Sequence, residues 1–153
     1  MNSLQTQCLI DALNATGIRK LIVVPATGLE AVYRHFEGDG RCIYATREEE
    51  AIALAAGLTL GGEKTTVVMA QAGVGNSLNA VFTLADAYDI YFPILVCFRS
   101  EQDPNLVQRM SAKQTHQVLD DLDCAEISWD APSGGEEFKK LVDSHQRWIK
   151  CSL

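Results

Sequence analysis

The chain has 153 residues, 47% of them hydrophobic and 22% charged, and a net charge of −7. That length suits one domain with a sizeable core, and an acidic balance without any Lys/Arg cluster excludes nucleic acid as an expected partner. No apolar run reaches the ~18 residues of a membrane span, and Met1–Thr6 carries no signal-peptide pattern, so a soluble, cytoplasmic protein is expected, with no membrane contact.

Ser3–Ala15 places Leu4, Cys8, Leu9, Ala12 and Leu13 on one helical face, with Gly17 suited to its C-terminal cap. Leu21–Val24 is a continuous apolar run of the kind found in a parallel strand covered on both faces. Pro25-Ala26-Thr27-Gly28 breaks it, and Leu29–Phe36 resumes helical spacing. After the turn Glu37–Gly40, Cys42–Tyr44 reads as a second strand. Thr46–Leu60 is a helix that opens on three carboxylates and continues into an Ala-rich run closed by Gly61-Gly62. Thr65–Met69 is a third strand, Gln71–Asn76 a Gly-rich loop, Ser77–Ala87 a helix and Pro93–Phe98 a fourth strand. Arg99–Met110 is polar, contains Pro104 and reads as a long loop, a class of segment that often carries function. Ser111–Leu122 is helical, Ala125–Trp129 a fifth strand, and Glu136–Ile149 a last amphipathic helix.

Strands alternating with helices predict an α/β fold: three layers, with a mostly parallel sheet flanked by helices in a flavodoxin-like arrangement, and one domain over 1–153. In such sheets ligands sit beyond the carboxyl ends of the strands. That rim is made of Pro25–Gly28, Thr46–Glu49, Gln71–Asn76 and Arg99–Gln108. Two roles are open to Glu49. It completes a capping-box pattern with Thr46 three residues earlier, and it also stands where a carboxylate can enter a buried site. Gly73-Val74-Gly75 follows a strand and precedes a helix, so its amides can face an anion or a polar ring, or simply make a tight turn. The five cysteines form no CxxC pair, and His35, His116 and His145 have no metal-ligand spacing, so no metal site is expected on this chain. His116, just past the long rim segment, is the histidine of interest.

Four segments together resemble the pyrimidine-binding (PYR) domain of thiamine-diphosphate enzymes, nearest to the alpha subunit of sulfopyruvate decarboxylase and the matching half of phosphonopyruvate decarboxylase. They are Val24-Pro25, Arg47-Glu48-Glu49-Glu50 with Ala55-Ala56-Gly57, Met69 to Asn79, and Phe98-Arg99-Ser100. The resemblance implies a thiamine-diphosphate-dependent decarboxylase (a carbon–carbon lyase) acting on a small 2-oxo acid. Aligned on Ala55-Ala56-Gly57, it selects Glu49 as the catalytic carboxylate. There it would share a proton with N1′ of the aminopyrimidine and favour the imino tautomer that deprotonates C2. It further implies Pro25, Thr27, Gln71, Gly73 and Val74 as cofactor-binding residues, with Arg99 and His116 toward substrate. Gly38-Asp39-Gly40 lacks a preceding strand and a following Asn-Asn pair, so the Mg²⁺-diphosphate motif is missing. The implied Mg²⁺ and diphosphate site then belongs to a partner subunit on a separate chain, in an even-numbered hetero-oligomer. Ala26 stands where phosphonopyruvate decarboxylases carry an acidic residue, which leaves the acid unnamed. An acetolactate-synthase-like carboligase subunit and a non-catalytic PYR-like partner module are the alternatives.

Overall fold

The computed structural model describes residues 3–99, 104–127, 129 and 133–152. Strand β1 (Lys20–Val23) buries Leu21 and Val23 on one face and Ile22 on the other, so it needs cover on both sides. The same two-sided pattern holds in β3 (Thr65–Ala70), β4 (Ile94–Phe98) and β6 (Trp148–Ser152). Val68, Leu95, Cys97, Ile149 and Cys151 join the first core, while Val67, Met69, Val96, Phe98 and Trp148 join the second. With the short strands β2 (Cys42–Tyr44) and β5 (Ala125–Ile127) the sheet has six strands, all parallel, in the order β2-β1-β3-β4-β6-β5.

Helices α1 (Ser3–Ala15), α2 (Glu30–Glu37) and α6 (Gly134–Asp143) supply Leu9, Leu13, Phe36 and Phe138 to the first core. Helices α3 (Glu48–Leu60), α4 (Val74–Ala80) and α5 (Leu106–Asp121) supply Ile52, Ala55, Val74 and Leu119 to the second. A single 3₁₀ turn, Gln71–Gly73, leads into α4, which runs on as a π-helical stretch over Val81–Asp86. The three-layer α/β expectation is met. Because β2 and β3 flank β1 and their crossovers lie on opposite faces, the topological switch point opens between the carboxyl ends of β1 and β3. Among the described residues no helix is long and apolar enough to cross a membrane.

The structure corrects five local expectations. Helix α4 begins at Val74, three residues before the expected Ser77, so only Gln71–Gly73 of the expected Gly-rich loop precedes it, and that as a 3₁₀ turn. The last helix stops at Asp143, and Trp148–Ser152 forms an inner strand between β4 and β5. Helix α6 ends in a Schellman turn: His145 N–H donates to Val142 C=O and Gln146 N–H to Leu141 C=O, with His145 at φ +61° where glycine is usual. Helix α5 begins at Leu106, five residues before the expected Ser111, because Asn105 caps it: Oδ1 accepts from the amides of Val107 (2.9 Å) and Gln108 (3.4 Å). Within the expected rim loop, residues 100–103 lie outside the described residues. Helix α3 starts at Glu48, with Arg47 as an extended N-cap that makes no side-chain cap bond. The reciprocal partner of Thr46 is Glu50 rather than Glu49. The Thr46 amide and hydroxyl donate to Glu50 Oε2 at 2.8 and 2.6 Å.

Candidate active site

The switch-point crevice is a cleft of about 180 Å³ that Pro25, Thr27, Gln71, Arg99 and Gln108 help to line. Its first wall is the turn after β1. Tyr33 Oη accepts from the Ala26 amide at 3.2 Å and donates to the Ala26 carbonyl at 3.4 Å, pinning the turn to α2. Burial pushes the Tyr33 phenol well up, so it remains a neutral donor and acceptor. Gly28, at φ +98°, completes the turn and donates its amide to Glu30 Oε2 at 2.9 Å. The second wall is Gln71, only 1% exposed. Its Oε1 accepts from the Arg99 amide at 2.7 Å, its Nε2 donates to the Gln108 carbonyl at 3.1 Å, and its own carbonyl accepts from Thr115 Oγ1 at 3.2 Å.

The three carboxylates at the start of α3 divide by direction, as successive helical positions must. Glu50 is consumed by Thr46, and those two hydrogen bonds hold its carboxyl below the usual carboxylate range. Glu49 Oε1 pairs with Arg47 Nε at 3.1 Å, while its Oε2 is buried without a hydrogen-bond partner among the described residues. Glu48 lies over the Gly-rich loop, and its Oε2 accepts from Asn76 Nδ2 at 3.1 Å. A Cβ on Gly73 would fall 2.3 Å from Glu48 Oε1 and 2.5 Å from its Cγ, so the loop admits this carboxylate only because residue 73 is glycine. Glu48 also continues the buried stripe of its helix, since Ala51, Ile52 and Ala55 stand three, four and seven residues on. That spacing was available in the sequence and is the signal by which Glu48 could have been found.

The structure therefore gathers Pro25, Thr27, Gln71 and Arg99 around one cleft, and brings Glu48, Gly73 and Asn76 together at the adjoining helix starts. Val74 opens α4 and is buried in the second core beside this loop; with Gly75 and Met110 it lines a groove of about 590 Å³ between α4 and α5. His116 stands apart from these residues. Its ring packs edge-on to Phe98 at 4.7 Å between centroids, and its Nε2 lies 3.1 Å from Lys150 Nζ. The buried Lys150 also pairs with Glu126 at 3.1 Å and sits 4.6 Å from the Phe98 ring centroid. The Ser152 hydroxyl, at 2.6 Å, and then Lys150 hold the Glu126 carboxyl below its ordinary range. Among the described residues no group of three His, Cys, Asp or Glu side chains is placed to hold a metal ion.

The site's parts fit the pyrimidine end of thiamine diphosphate: an orphaned buried carboxylate oxygen on Glu49, and at Gly73 a backbone free of a side chain beneath the Glu48 carboxylate. The family described as thiamine pyrophosphate enzyme, N-terminal TPP binding domain, matches residues 5–123. The sulfopyruvate decarboxylase subunit alpha of Methanococcus maripaludis is 30% identical over 139 residues, covering 90% of this chain and 82% of the relative. The protein of the same name from Methanocaldococcus jannaschii is 31% identical, covering 86% and 78%. Among solved structures, a split-gene transketolase in an inactive beta4 tetramer superposes with a TM-score of 0.64 at 11% identity, over 98% of this chain and 49% of that one. The 2-oxoglutarate:ferredoxin oxidoreductase of Magnetococcus marinus gives 0.58 at 14% identity, over 97% and 28%. At such low identity the last two establish the fold alone. The sequence match extends over most of the chain and includes every segment that builds the cleft and the carboxylate cluster: the chain belongs to the family of thiamine pyrophosphate enzyme N-terminal TPP-binding domains.

Proposed function

We propose that this chain is the pyrimidine-binding half of a thiamine-diphosphate-dependent decarboxylase acting on a small 2-oxo acid of the sulfopyruvate kind. The whole chain serves as one such domain, and a separate diphosphate-binding subunit, which holds Mg²⁺, completes the site in an even-numbered hetero-oligomer. The relatives named as alpha subunits support a two-chain enzyme. The observation that carries the proposal is the Glu48 carboxylate laid over Gly73 at the mouth of the Gly-rich loop.

When bound, thiamine diphosphate supplies the electron sink for loss of CO₂. The chain's own work is to hold a proton at N1′ of the pyrimidine and to keep the ring against the loop. Glu48 would hold the proton: it faces the loop, and Asn76 fixes one oxygen, which would leave the other for N1′. Glu49, the residue that the alignment on Ala55-Ala56-Gly57 selects, is the second reading, favoured by its buried and unpartnered Oε2. Gly73 and Val74 would lie along the ring, because a side chain at residue 73 would occupy the space Glu48 uses. Pro25, Thr27 and Gln71 shape the adjoining cleft, where Arg99 stands toward the acid.

Calorimetry tests the split site. The isolated chain should bind thiamine diphosphate weakly or not at all, and adding the diphosphate-binding subunit with Mg²⁺ should produce tight binding and CO₂ release from sulfopyruvate. Micromolar binding by this chain alone refutes the two-subunit site. A condensed hydroxy-keto product, rather than the simple aldehyde, replaces decarboxylase with carboligase.

A further inference from the structure

We infer that Gln71 is a positioning residue, whose buried amide clamps the end of β4 to the first turn of α5 and so sets the width of the cleft that admits the acid. Its role toward substrate rests on the function proposed above; the clamp itself does not.

Gln71 is the first residue past β3 and opens the 3₁₀ turn, in the wall of the switch-point crevice. Its side chain reaches across two elements distant in sequence. Oε1 takes the amide of Arg99, the first residue past β4, and Nε2 holds the carbonyl of Gln108 in the first turn of α5. Thr115, two turns further along α5, grips the Gln71 carbonyl, so α5 is held to this one residue at two points. Arg99 and Gln108 are themselves cleft walls. Both polar ends of the amide are thus spent on main-chain groups of the cleft, and at 1% exposure water cannot replace them. Only a group that accepts at one end and donates at the other satisfies both walls. Glutamine does so at every pH, whereas glutamate does so only when protonated.

The test uses Gln71→Met and Gln71→Glu. Methionine keeps the volume and supplies neither bond. Ionised glutamate turns a negative oxygen on the Gln108 carbonyl, and the repulsion should swing the side chain away from both walls, so that the Arg99 amide loses its acceptor as well. Burial raises the pKa of a carboxyl placed there, so acid should restore the donor. Amide hydrogen exchange on the purified chain reads the clamp. In Gln71→Met the Arg99 amide should exchange at least ~100-fold faster, with α1 and α6 amides unchanged. In Gln71→Glu it should be fast at pH 7.5 and regain at least ~10-fold protection at pH 5, after correction for intrinsic rates. If Gln71→Met does not fold, the pH response of Gln71→Glu decides alone. In the reconstituted enzyme, with sulfopyruvate as probe, both variants should raise KM by ~10-fold or more at pH 7.5 while kcat stays within ~3-fold. Full protection of the Arg99 amide in both variants, or a fall in kcat at constant KM, overturns the assignment. If the parental complex neither binds thiamine diphosphate nor turns over, the functional proposal fails while the exchange experiment still decides the clamp.

Discussion

The choice among the three carboxylates turns on Gly73→Ala. Residue 73 has φ −83° and ψ −13°, a conformation alanine adopts without strain. The new Cβ would meet Glu48 Oε1 at 2.3 Å, Cγ at 2.5 Å and Cδ at 2.6 Å, all of them atoms of one flexible side chain. The side chain must therefore swing aside, and the backbone need not. The cost is the Asn76–Glu48 hydrogen bond plus a rotamer change, about 1–2 kcal/mol together at a site open to water. Replacing glycine by alanine returns about 0.4–1 kcal/mol through the unfolded chain. The net change is about 1 kcal/mol, which a 153-residue protein shows as a shift of about 2–4 °C in Tm. The effect on chemistry is far larger if Glu48 holds the N1′ proton. In the complex with its diphosphate-binding subunit, C2–H exchange of bound thiamine diphosphate, followed by NMR in deuterated buffer, should slow at least ~100-fold. Glu48→Gln should slow it equally and leaves residue 73 untouched, which separates a displaced carboxylate from a crowded loop. Glu49→Gln and Glu50→Gln should exchange near the parental rate. Parental exchange in Glu48→Gln with loss in Glu49→Gln refutes the geometric reasoning and restores the alignment-based choice. Parental exchange in all three removes the carboxylate from the mechanism.

Arg147, 15% exposed in its side chain, reaches Asp86 at 2.9 Å and the carbonyls of Ile90 (3.1 Å) and Phe92 (3.4 Å), so Arg147→Lys should cost about 1–3 kcal/mol; an unchanged Tm refutes that bracket. Cys97 and Cys151 lie side by side on β4 and β6, fully buried, with burial raising both thiols, Cys151 to about 12. Alkylation of the native chain at pH 8 should therefore label at most three of the five cysteines, the last two only after denaturation, and labelling of either buried thiol at the rate of Cys8 contradicts the packing. Glu50 has its carboxyl held below 4.5 by Thr46, so its contribution to stability is complete above its unfolded pKa and is lost as pH falls through the lower folded value. An NMR titration should place its midpoint below 4.5, and Thr46→Val should move it back toward 4.5; a midpoint already at 4.5 in the parent dismisses the cap.

The periodic segments were legible because packing obeys their period. Ser3–Ala15 is helical with the bounds its apolar spacing predicts, and the apolar runs at Leu21 and Thr65 are strands covered on both faces. What the sequence concealed are helix ends written in unusual residues. Three helical segments end in Schellman turns whose left-handed residue is Asp89, Asp123 or His145 rather than glycine. At His145 the disguise had the largest consequence. With no glycine to stop it, the spacing of Phe138, Leu141 and Val142 extends to Ile149, and an inner strand reads as the tail of a helix. Lys150 deepened the disguise, since a lysine argues against a buried strand until its partners Glu126 and His116, far off in sequence, are known.

The same distinction between local pattern and distant contact governs the site. The rim segments follow from strand order, and so Pro25, Thr27, Gln71 and Arg99 could be placed on one edge from sequence before any contact was known. Their division of labour could not, because it depends on which neighbour each side chain meets. A capping-box spacing assigns Glu49 to Thr46, yet an extended Arg47 shifts the helix start so that Glu50 takes that place. Once Glu50 is engaged in the cap and Glu49 with Arg47, the carboxylate left facing the Gly-rich loop is Glu48. Residue 73 then explains itself: its φ is negative, so glycine is required there by the space Glu48 occupies and not by the turn. A loop glycine with no conformational need marks a close approach, and here what approaches is Glu48, the carboxylate proposed to hold the proton.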